Sequence, residues 1–594
     1  MSNNKRVKYE DSDLYKIRHS CEHVYAQAIS ELYPGKIKLA VAHIDEMGFS
    51  NDAKWDIEFS DKEFEKIEKK MQEIIDKDLP IVKKEISIDE AREMFKDNPF
   101  KLEWIEQWAA EGKPLSIYWT GDEYVDFCKG PHVESTGAIK AFKLMSNSGA
   151  YWRGDDSNEM LNRVYGTAFR NAKELRVHLK MMVEAKKRDH RKIGKDQDFF
   201  IFSDLVGKGL PLWTERGATL RRELERFIVD EEIRRGYKHV YTPDIAKLDL
   251  YRTSGHYPYY KDSMYAPIKI DDEEFMLRPM TCPHHFELFK SLPRSYKELP
   301  MRIAELAKLY RYEQSGELSG LIRVRSFCLA DAHIVSPKSK AEAEVNGALD
   351  LIECVCGIFG LKPNEDYWYR LSLGDRSDDK KYYKDDAAWD YAEEVLRKAC
   401  ASREVETVEE EDEAAFYGPK IDIQMKNVNG KEDSAFTVQY DFVMPKRFNL
   451  NFTNESGKDE EPVVVHRSSV GAIERVMGFL IERYSGNFPV WMHPEQVAIL
   501  PVSEKHAEYA ATVVEKLREE GVRVFESEVD QTVGNKIRKA QEMKIPYMLI
   551  LGDQEVENNS VSVRLRTGDQ LGEMSIEDLL VRVKEKIKSK SLDL

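Results

Sequence analysis

His19 and His23 are four residues apart, and Cys128 and His132 in CKGPH repeat that interval. On a helix, residues four apart share a face one turn apart. Three histidines and a cysteine make a tetrahedral donor set for zinc, so the four would form a metal site if the fold brings the two pairs together. Otherwise they are unrelated, partly buried side chains. A second, looser set is Cys282 in LRPMTCPHH, His333 in LADAHIV and His466 in VVVHRSSVGAIERV. Its long separations make spacing alone favour a buried thiol and satisfied core histidines over ligands. A third set is charged: Arg311 stands two residues before Glu313, with Arg323, Arg325 and Phe327 following in GLIRVRSF. On a strand, residues two apart share a face, so this Arg and Glu could meet a phosphate and an adenine amine side by side. The competing reading is a cross-strand charge pair. Arg475, at the start of the apolar helix in GAIERVMGFLIE, reads by the same reasoning as a solvated or capping charge. Neither GxxxxGK[ST] nor a GxGxxG between strand and helix occurs, which removes P-loop and Rossmann nucleotide binding.

Several elements must position these groups. At roughly 150 residues per domain, the 594-residue chain predicts about four domains, or three if one is large. Its 42% hydrophobic and 33% charged residues are those of a globular protein, with no apolar run of transmembrane length and no secretory N-terminus. A soluble, cytoplasmic protein is expected. Seven cysteines (21, 128, 282, 328, 354, 356 and 400) are sparse for this length and predict reduced thiols. The net charge of −17 argues against coating nucleic acid by bulk charge.

Ile17, Cys21, Val24, Ala28 and Leu32 recur at helical spacing until Pro34-Gly35, and Phe64, Ile67, Met71, Ile74 and Ile75 mark a second helix. Strand-like SIYWTG and EYVDFC follow, so the first third reads as α+β. A highly charged helix from about Asn171 to Lys195, with Gly194 as its stop, reads as a linker. The acidic run 404–413 reads as a solvated surface loop. After Pro494, alternating strands and helices predict a small α/β domain with a mostly parallel sheet.

The ordered segments HSCEH, DFCKGPHVESTG, AYWRGD with LNRVYGTAF, GYKHVYTP, RYEQSG with GLIRVRSF, ADAH, AFYGPK, TVQYDF, HRSSVGAIERVMGFLIE and IPYMLILG are together specific. The chain resembles a class II threonyl-tRNA synthetase of the bacterial type, from about His19 to its C-terminus. The resemblance implies a multidomain α+β and α/β fold: an editing domain over 1–170, a linker helix over 171–196, an antiparallel-sheet catalytic domain over 197–492 and an α/β anticodon-binding domain over 493–594. It implies ATP-dependent attachment of L-threonine to tRNA(Thr) through a threonyl-adenylate, with hydrolysis of mischarged Ser-tRNA(Thr). The loose trio becomes a zinc site, one ion per subunit, on Cys282, His333 and His466. Threonine would bind the metal through nitrogen and hydroxyl, with Asp331 accepting from the hydroxyl and Tyr417, Lys420 and Gln439 lining the threonine and adenylate pockets. The resemblance puts Arg311 on the α-phosphate, Arg323 and Arg475 on pyrophosphate, Glu313 on the adenine amine, Phe327 against the ring, and Mg²⁺ with the ATP. His256 would act in transfer to the ribose. His19, His23, Cys128 and His132, with Asp126 and Lys101, would position a water for ester hydrolysis without metal, replacing the zinc reading of the same residues. Glu555 and Arg564 match anticodon-reading positions, and the basic run Lys186 to Lys195 could help hold the acceptor arm. A homodimer is implied through GYKHVYTP, with neither membrane nor DNA as partner.

The chain departs from the family in four places. Only 18 residues precede His19, so the β-grasp domain common in bacterial members is expected to be absent. CLADAH has Leu329 and Ala330 where the family commonly has glutamine and aspartate, MTCPHH replaces MNCPGH, and Asp530 stands where an asparagine is usual. The alternative function is a synthetase-like paralogue that activates an amino acid with altered specificity or without charging tRNA.

Overall fold

The computed structural model describes residues 9–155, 157–378, 380–428, 430–528 and 530–594. The first eight residues, counted above with the editing domain, lie outside the described residues. Contacts divide the chain into two compact units, one reaching Lys186 and taking in 430–431, the other formed by the rest from Lys187 on. Among the described residues no helix is long and apolar enough to cross a membrane.

In the first unit, Ser12 accepts from the Tyr15 amide at 3.1 Å and starts the helix Asp13–Leu32. The apolar stripe packs against Ile67, Met71 and Ile74 of the helix Phe64–Asp76 and against Phe49 and Val164 of a four-stranded antiparallel sheet. That sheet runs in the order Ile37–Ile44, Phe49–Trp55, Met160–Phe169 and Ala141–Tyr151. The stripe explains one face only, yet every residue from Ile17 to Ile29 is buried. The opposite side, with His19, Glu22 and His23, is therefore polar and enclosed, a costly arrangement unless those groups find partners. A three-stranded antiparallel sheet, Ile81–Glu85, Ser116–Thr120 and Tyr124–Phe127, supplies some of them.

The second unit is built on an eight-stranded sheet. Strands Met301–Tyr310, Ser326–Ser336, Val463–Ala472, Glu432–Asp441, Lys420–Lys426 and Tyr367–Ser372 are antiparallel in that order, and Lys238–His239 and Thr407–Glu410 close its two edges in parallel. Ala332 and Ile334 enter a core made with the helices Glu215–Arg234, Ala341–Ile358, Asp386–Ala401 and Ile473–Tyr484. By the period of two, Asp331 and His333 face the other way. The register puts His333 opposite His466, His466 opposite Gln439, and Gln439 opposite Lys420. One row across four strands thus carries four of the expected site residues.

Four local expectations are corrected. The charged linker does not stop at Gly194: Asp189 breaks it into helices Ala172–Arg188 and His190–Asp196 and caps the second by accepting from the Arg191 amide at 2.8 Å. Gly194 sits inside that second helix because a Cβ there would come within 2.4 Å of the Phe200 ring. The acidic run contains the edge strand Thr407–Glu410, tied down by Arg397–Glu409 at 2.8 Å and Arg370–Glu410 at 3.5 Å. Its charge discourages further strand pairing. Arg311 and Glu313 lie beyond the end of Met301–Tyr310, in the loop, so they do not share a strand face. The C-terminal sheet, ordered Val524–Glu526, Val497–Pro501, Tyr547–Leu551, Ser560–Leu565 and Gln570–Ser575, is half parallel and half antiparallel. A parallel crossover needs a dozen or more residues, and the six-residue helix Asp553–Asn558 is too short to provide one.

Candidate active sites

In the second unit one cavity of about 360 Å³ is lined by every residue expected to serve activation, from His256 to Arg475. Cys282 opens the helix Cys282–Lys290, with Pro283 in the first turn where its missing N–H is not needed. The Cys282 sulfur and one nitrogen each of His333 and His466 lie within 4.8 Å of one another. Both histidines have a partner on one ring nitrogen: His466 Nε2 is 2.7 Å from Asp441 Oδ2, and His333 Nδ1 is 2.8 Å from His285 Nδ1. Asp441 is held in turn by the Val443 and Met444 amides, and His285 by Glu305 at 3.2 Å. A partner on one nitrogen fixes the tautomer and leaves the other as a donor, so the S, N, N set fits zinc with a position open to the cavity. Sequence reasoning missed Asp441 and His285. Asp441 follows Gln439 by two residues on one strand, which was the available signal; His285 had none beyond its closeness to Cys282. Asp441→Asn is expected to weaken zinc binding about 10- to 100-fold, measured by competition with a chromophoric chelator; unchanged affinity would refute this role.

The other end of the cavity is cationic. Arg311 touches Met280 Sδ at 3.5 Å and lies 5.2 Å from the Phe327 ring centroid, with no carboxylate at ion-pair distance among the described residues. Among the described residues Arg475 donates to the carbonyls of Ile322 and Ser434, both at 3.2 Å. Burial pushes both guanidinium groups below their ordinary value, and the charge of Arg475 adds to this at Arg311. Half-buried cations with no carboxylate at ion-pair distance among the described residues, Glu313 and Asp433 acting on them from farther off, favour an anion. Arg323 differs, because Glu313 holds it at 2.8 Å. The charge pair is realised, but between these two residues. Tyr417 hydroxyl meets Gln439, Lys420 meets Asp422, and the Tyr417 ring stacks on His466 with centroids 5.1 Å apart. His256 Nδ1 is 2.7 Å from Ser254 Oγ, and burial lowers its pKa to about 3, so the ring is neutral. The preceding Gly255 has φ +82°, and a Cβ there would collide with Arg447. Leu329 also lines this cavity.

The first unit holds a cavity of about 190 Å³ lined by His19, Glu22, His23, Lys101, Asp126 and Cys128, among others. Here the two pairs do meet: the donor atoms of His19, His23, Cys128 and His132 lie within 4.8 Å of one another. Cys128 Sγ is 3.2 Å from His19 Nε2 and 3.4 Å from His132 Nε2. The remaining nitrogens of these rings are used, His19 Nδ1 with Pro131 O and His132 Nδ1 with Ser20 Oγ, both at 3.1 Å. Lys101 Nζ and Asp126 Oδ1 form an ion pair at 2.8 Å. Burial dominates the electrostatics. It lowers His19 to about 3 and His23 to about 4, and raises Cys128 to about 12 and Glu22 to about 8. The cluster is neutral imidazole and thiol at neutral pH. Gly130 allows the CKGPH turn: its φ is +78°, and a Cβ would strike the Tyr118 hydroxyl at 2.0 Å. Glu22 is the residue here that sequence reasoning passed over, since a glutamate on a helix ordinarily reads as solvated.

In the C-terminal part, Glu555 caps its own short helix by accepting from the Gly552 amide at 2.8 Å, and Arg564 lies half-buried in the strand Ser560–Leu565.

Residues 265–484 match the family described as tRNA synthetase class II core domain (G, H, P, S and T), residues 496–586 the anticodon binding domain, and residues 115–165 the threonyl and alanyl tRNA synthetase second additional domain. The fold is that of a class II aminoacyl-tRNA synthetase. A threonine–tRNA ligase of Staphylococcus carnosus is 47% identical over 556 residues, covering 93% of this chain and 85% of the relative, and one of Geobacillus is 47% identical over 576 residues, covering 96% and 88%. A crystal structure described as the RNA binding domain of threonyl-tRNA synthetase from Cryptosporidium parvum aligns with a TM-score of 0.63 at 34% identity, over 67% of this chain and 98% of that one. The chain belongs to the threonine–tRNA ligase family.

Proposed function

We propose that this protein joins L-threonine to tRNA(Thr) through a threonyl-adenylate made from ATP with Mg²⁺, and hydrolyses Ser-tRNA(Thr) formed in error. The observation that carries the reading is one cavity with Arg311 and Arg475, neither in an ion pair among the described residues, at one end and a Cys–His–His donor set at the other. Zinc bound there would supply a Lewis-acidic centre for the amino nitrogen and hydroxyl of threonine. Asp331 accepts from that hydroxyl, and Tyr417, Lys420 and Gln439 line the amino-acid and adenylate side. Arg311 meets the α-phosphate, where charge grows as the carboxylate attacks, and Arg475 meets the pyrophosphate. Arg323 and Glu313, paired with each other in the free protein, separate or share their pair when nucleotide arrives, Arg323 toward pyrophosphate and Glu313 toward the adenine amine. Phe327 stacks on the ring, and neutral His256 serves transfer to the ribose.

A site built on the substrate hydroxyl rejects valine by about 10⁴ to 10⁵, whereas a missing methyl is worth only about 10- to 200-fold. Serine is therefore activated and must be removed. His19, His23, Cys128 and His132, with Lys101 and Asp126, hold and polarise the hydrolytic water. In this reading residues 1–170 edit, 171–196 link, 197–492 activate and 493–594 bind the anticodon, with Glu555 and Arg564 reading its bases and Lys186 to Lys195 helping to hold the acceptor arm. The active form is a homodimer joined through GYKHVYTP, whose Tyr241 is 95% exposed, and it works in the cytoplasm.

The test is ATP–pyrophosphate exchange with threonine, serine and valine, before and after chelation, with tRNA charging alongside. Threonine exchange without tRNA charging would instead support the paralogue. The compact donor set in the first unit favours a second reading, a metal-dependent hydrolase there. His23→Ala separates the two: Ser-tRNA(Thr) deacylation is expected to fall about 10²- to 10⁴-fold, while zinc content holds at one ion per chain and threonine exchange is unchanged. Loss of a second zinc in this variant would make the N-terminal cluster a metal centre.

A further inference from the structure

Glu22 lines the N-terminal cavity and takes no part in the hydrolytic roles above. It lies on the helix that carries His19 and His23 and is 2% exposed. Its Oε1 accepts from Asn51 Nδ2 at 2.5 Å, and among the described residues no hydrogen bond reaches Oε2. A buried residue that lines a cavity and has one carboxyl oxygen without a hydrogen-bond partner among the described residues offers that oxygen to a ligand. Burial raises Glu22 to about 8, so its carboxyl is protonated and uncharged at neutral pH in the free protein, and the groups around it add no net charge. Lys101 and Asp126 neutralise each other at 2.8 Å, the imidazoles and the Cys128 thiol are uncharged, and Lys129, the other charged residue lining the cavity, is exposed. The cation that an aminoacyl ester brings is its α-ammonium group, and a cation set against a buried carboxyl favours the carboxylate form.

We propose that Glu22 is a substrate-binding residue of the N-terminal cavity, its unpartnered oxygen taking an N–H of the α-ammonium group of the aminoacyl ester while Asn51 fixes the other oxygen. The proposal rests on the editing reading and adds to it a contact that recognises the amine. It requires no change in the hydrolytic step.

The test compares Ser-tRNA(Thr) with 3-hydroxypropanoyl-tRNA(Thr), which differs in lacking the ammonium group. Wild-type protein is expected to deacylate the seryl ester with kcat/KM higher by roughly 10- to 100-fold, the worth of a hydrogen bond to a charged group, mostly through KM. Glu22→Gln keeps the Asn51 contact and is expected to lose that preference while hydrolysing the deaminated ester at the wild-type rate. Glu22→Asp withdraws the carboxyl by one methylene and is expected to keep only part of it. Full preference in either variant overturns the proposal. Wild-type protein that hydrolyses neither ester overturns the editing reading, and this one with it. An unchanged Tm and unchanged threonine exchange in the variants show that the effect is local.

Discussion

Cys282→Ala is expected to release zinc and to lower threonine-dependent ATP–pyrophosphate exchange by about 10³-fold or more. The sulfur is one of three donors and the anionic one, so its loss leaves two imidazoles and a polar cavity in place of a Lewis acid. A metal contributes several kcal/mol of charge stabilisation, and about 4 kcal/mol is a factor of 10³ in rate. Zinc content and exchange should fall together. Cys400→Ala, a buried thiol of the hydrophobic core, is the matched control and should alter neither. Zinc retained by Cys282→Ala, or exchange that survives its loss, would sink the assignment.

Arg311→Ala is the second large effect. Arg311 is half-buried, has no carboxylate at ion-pair distance among the described residues and lines the cavity beside Phe327. Removing one preorganised group aimed at developing charge costs about 10² to 10³ in kcat. Because that charge is greatest in the transition state, kcat should fall more than the KM for ATP rises. Arg311→Lys restores charge without the planar fork and should recover only part of the rate. Equal activity of Arg311→Ala and wild type would remove this residue from the phosphate site.

What the sequence discloses differs from part to part of the molecule. The stripe from Ile17 to Ala28 has the period of a helix, and the helix is there because burial of that stripe repeats every turn. The spacing of His19 and His23 likewise survives as a shared face. Long-range encounters are another matter. Nothing in the interval between His333 and His466 tells that they are cross-strand neighbours, because register is decided by the whole sheet; only resemblance to a family singled them out. Gly194 has the look of a helix stop, but glycine serves close approach as well as helix termination, and here the Phe200 ring requires it. The 404–413 run reads as a loop because charge on an edge strand looks like charge on a loop. The C-terminal sheet turned antiparallel for want of connection length. Asp441 escaped notice because its importance lies in what it holds, and partners of that kind are visible only in three dimensions.

The row His333, His466, Gln439 and Lys420 runs at right angles to the chain, through the hydrogen-bond ladder of four strands. Separations along it are set by the ladder rather than by flexible side chains, so donor and pocket residues are spaced before any ligand arrives. A slip of one residue between two strands would turn a histidine to the opposite face. Geometry of the proposed site and cohesion of the sheet are thus one property: a substitution far from the cavity that lets the buried strand Val463–Ala472 shift should damage the site and the fold together.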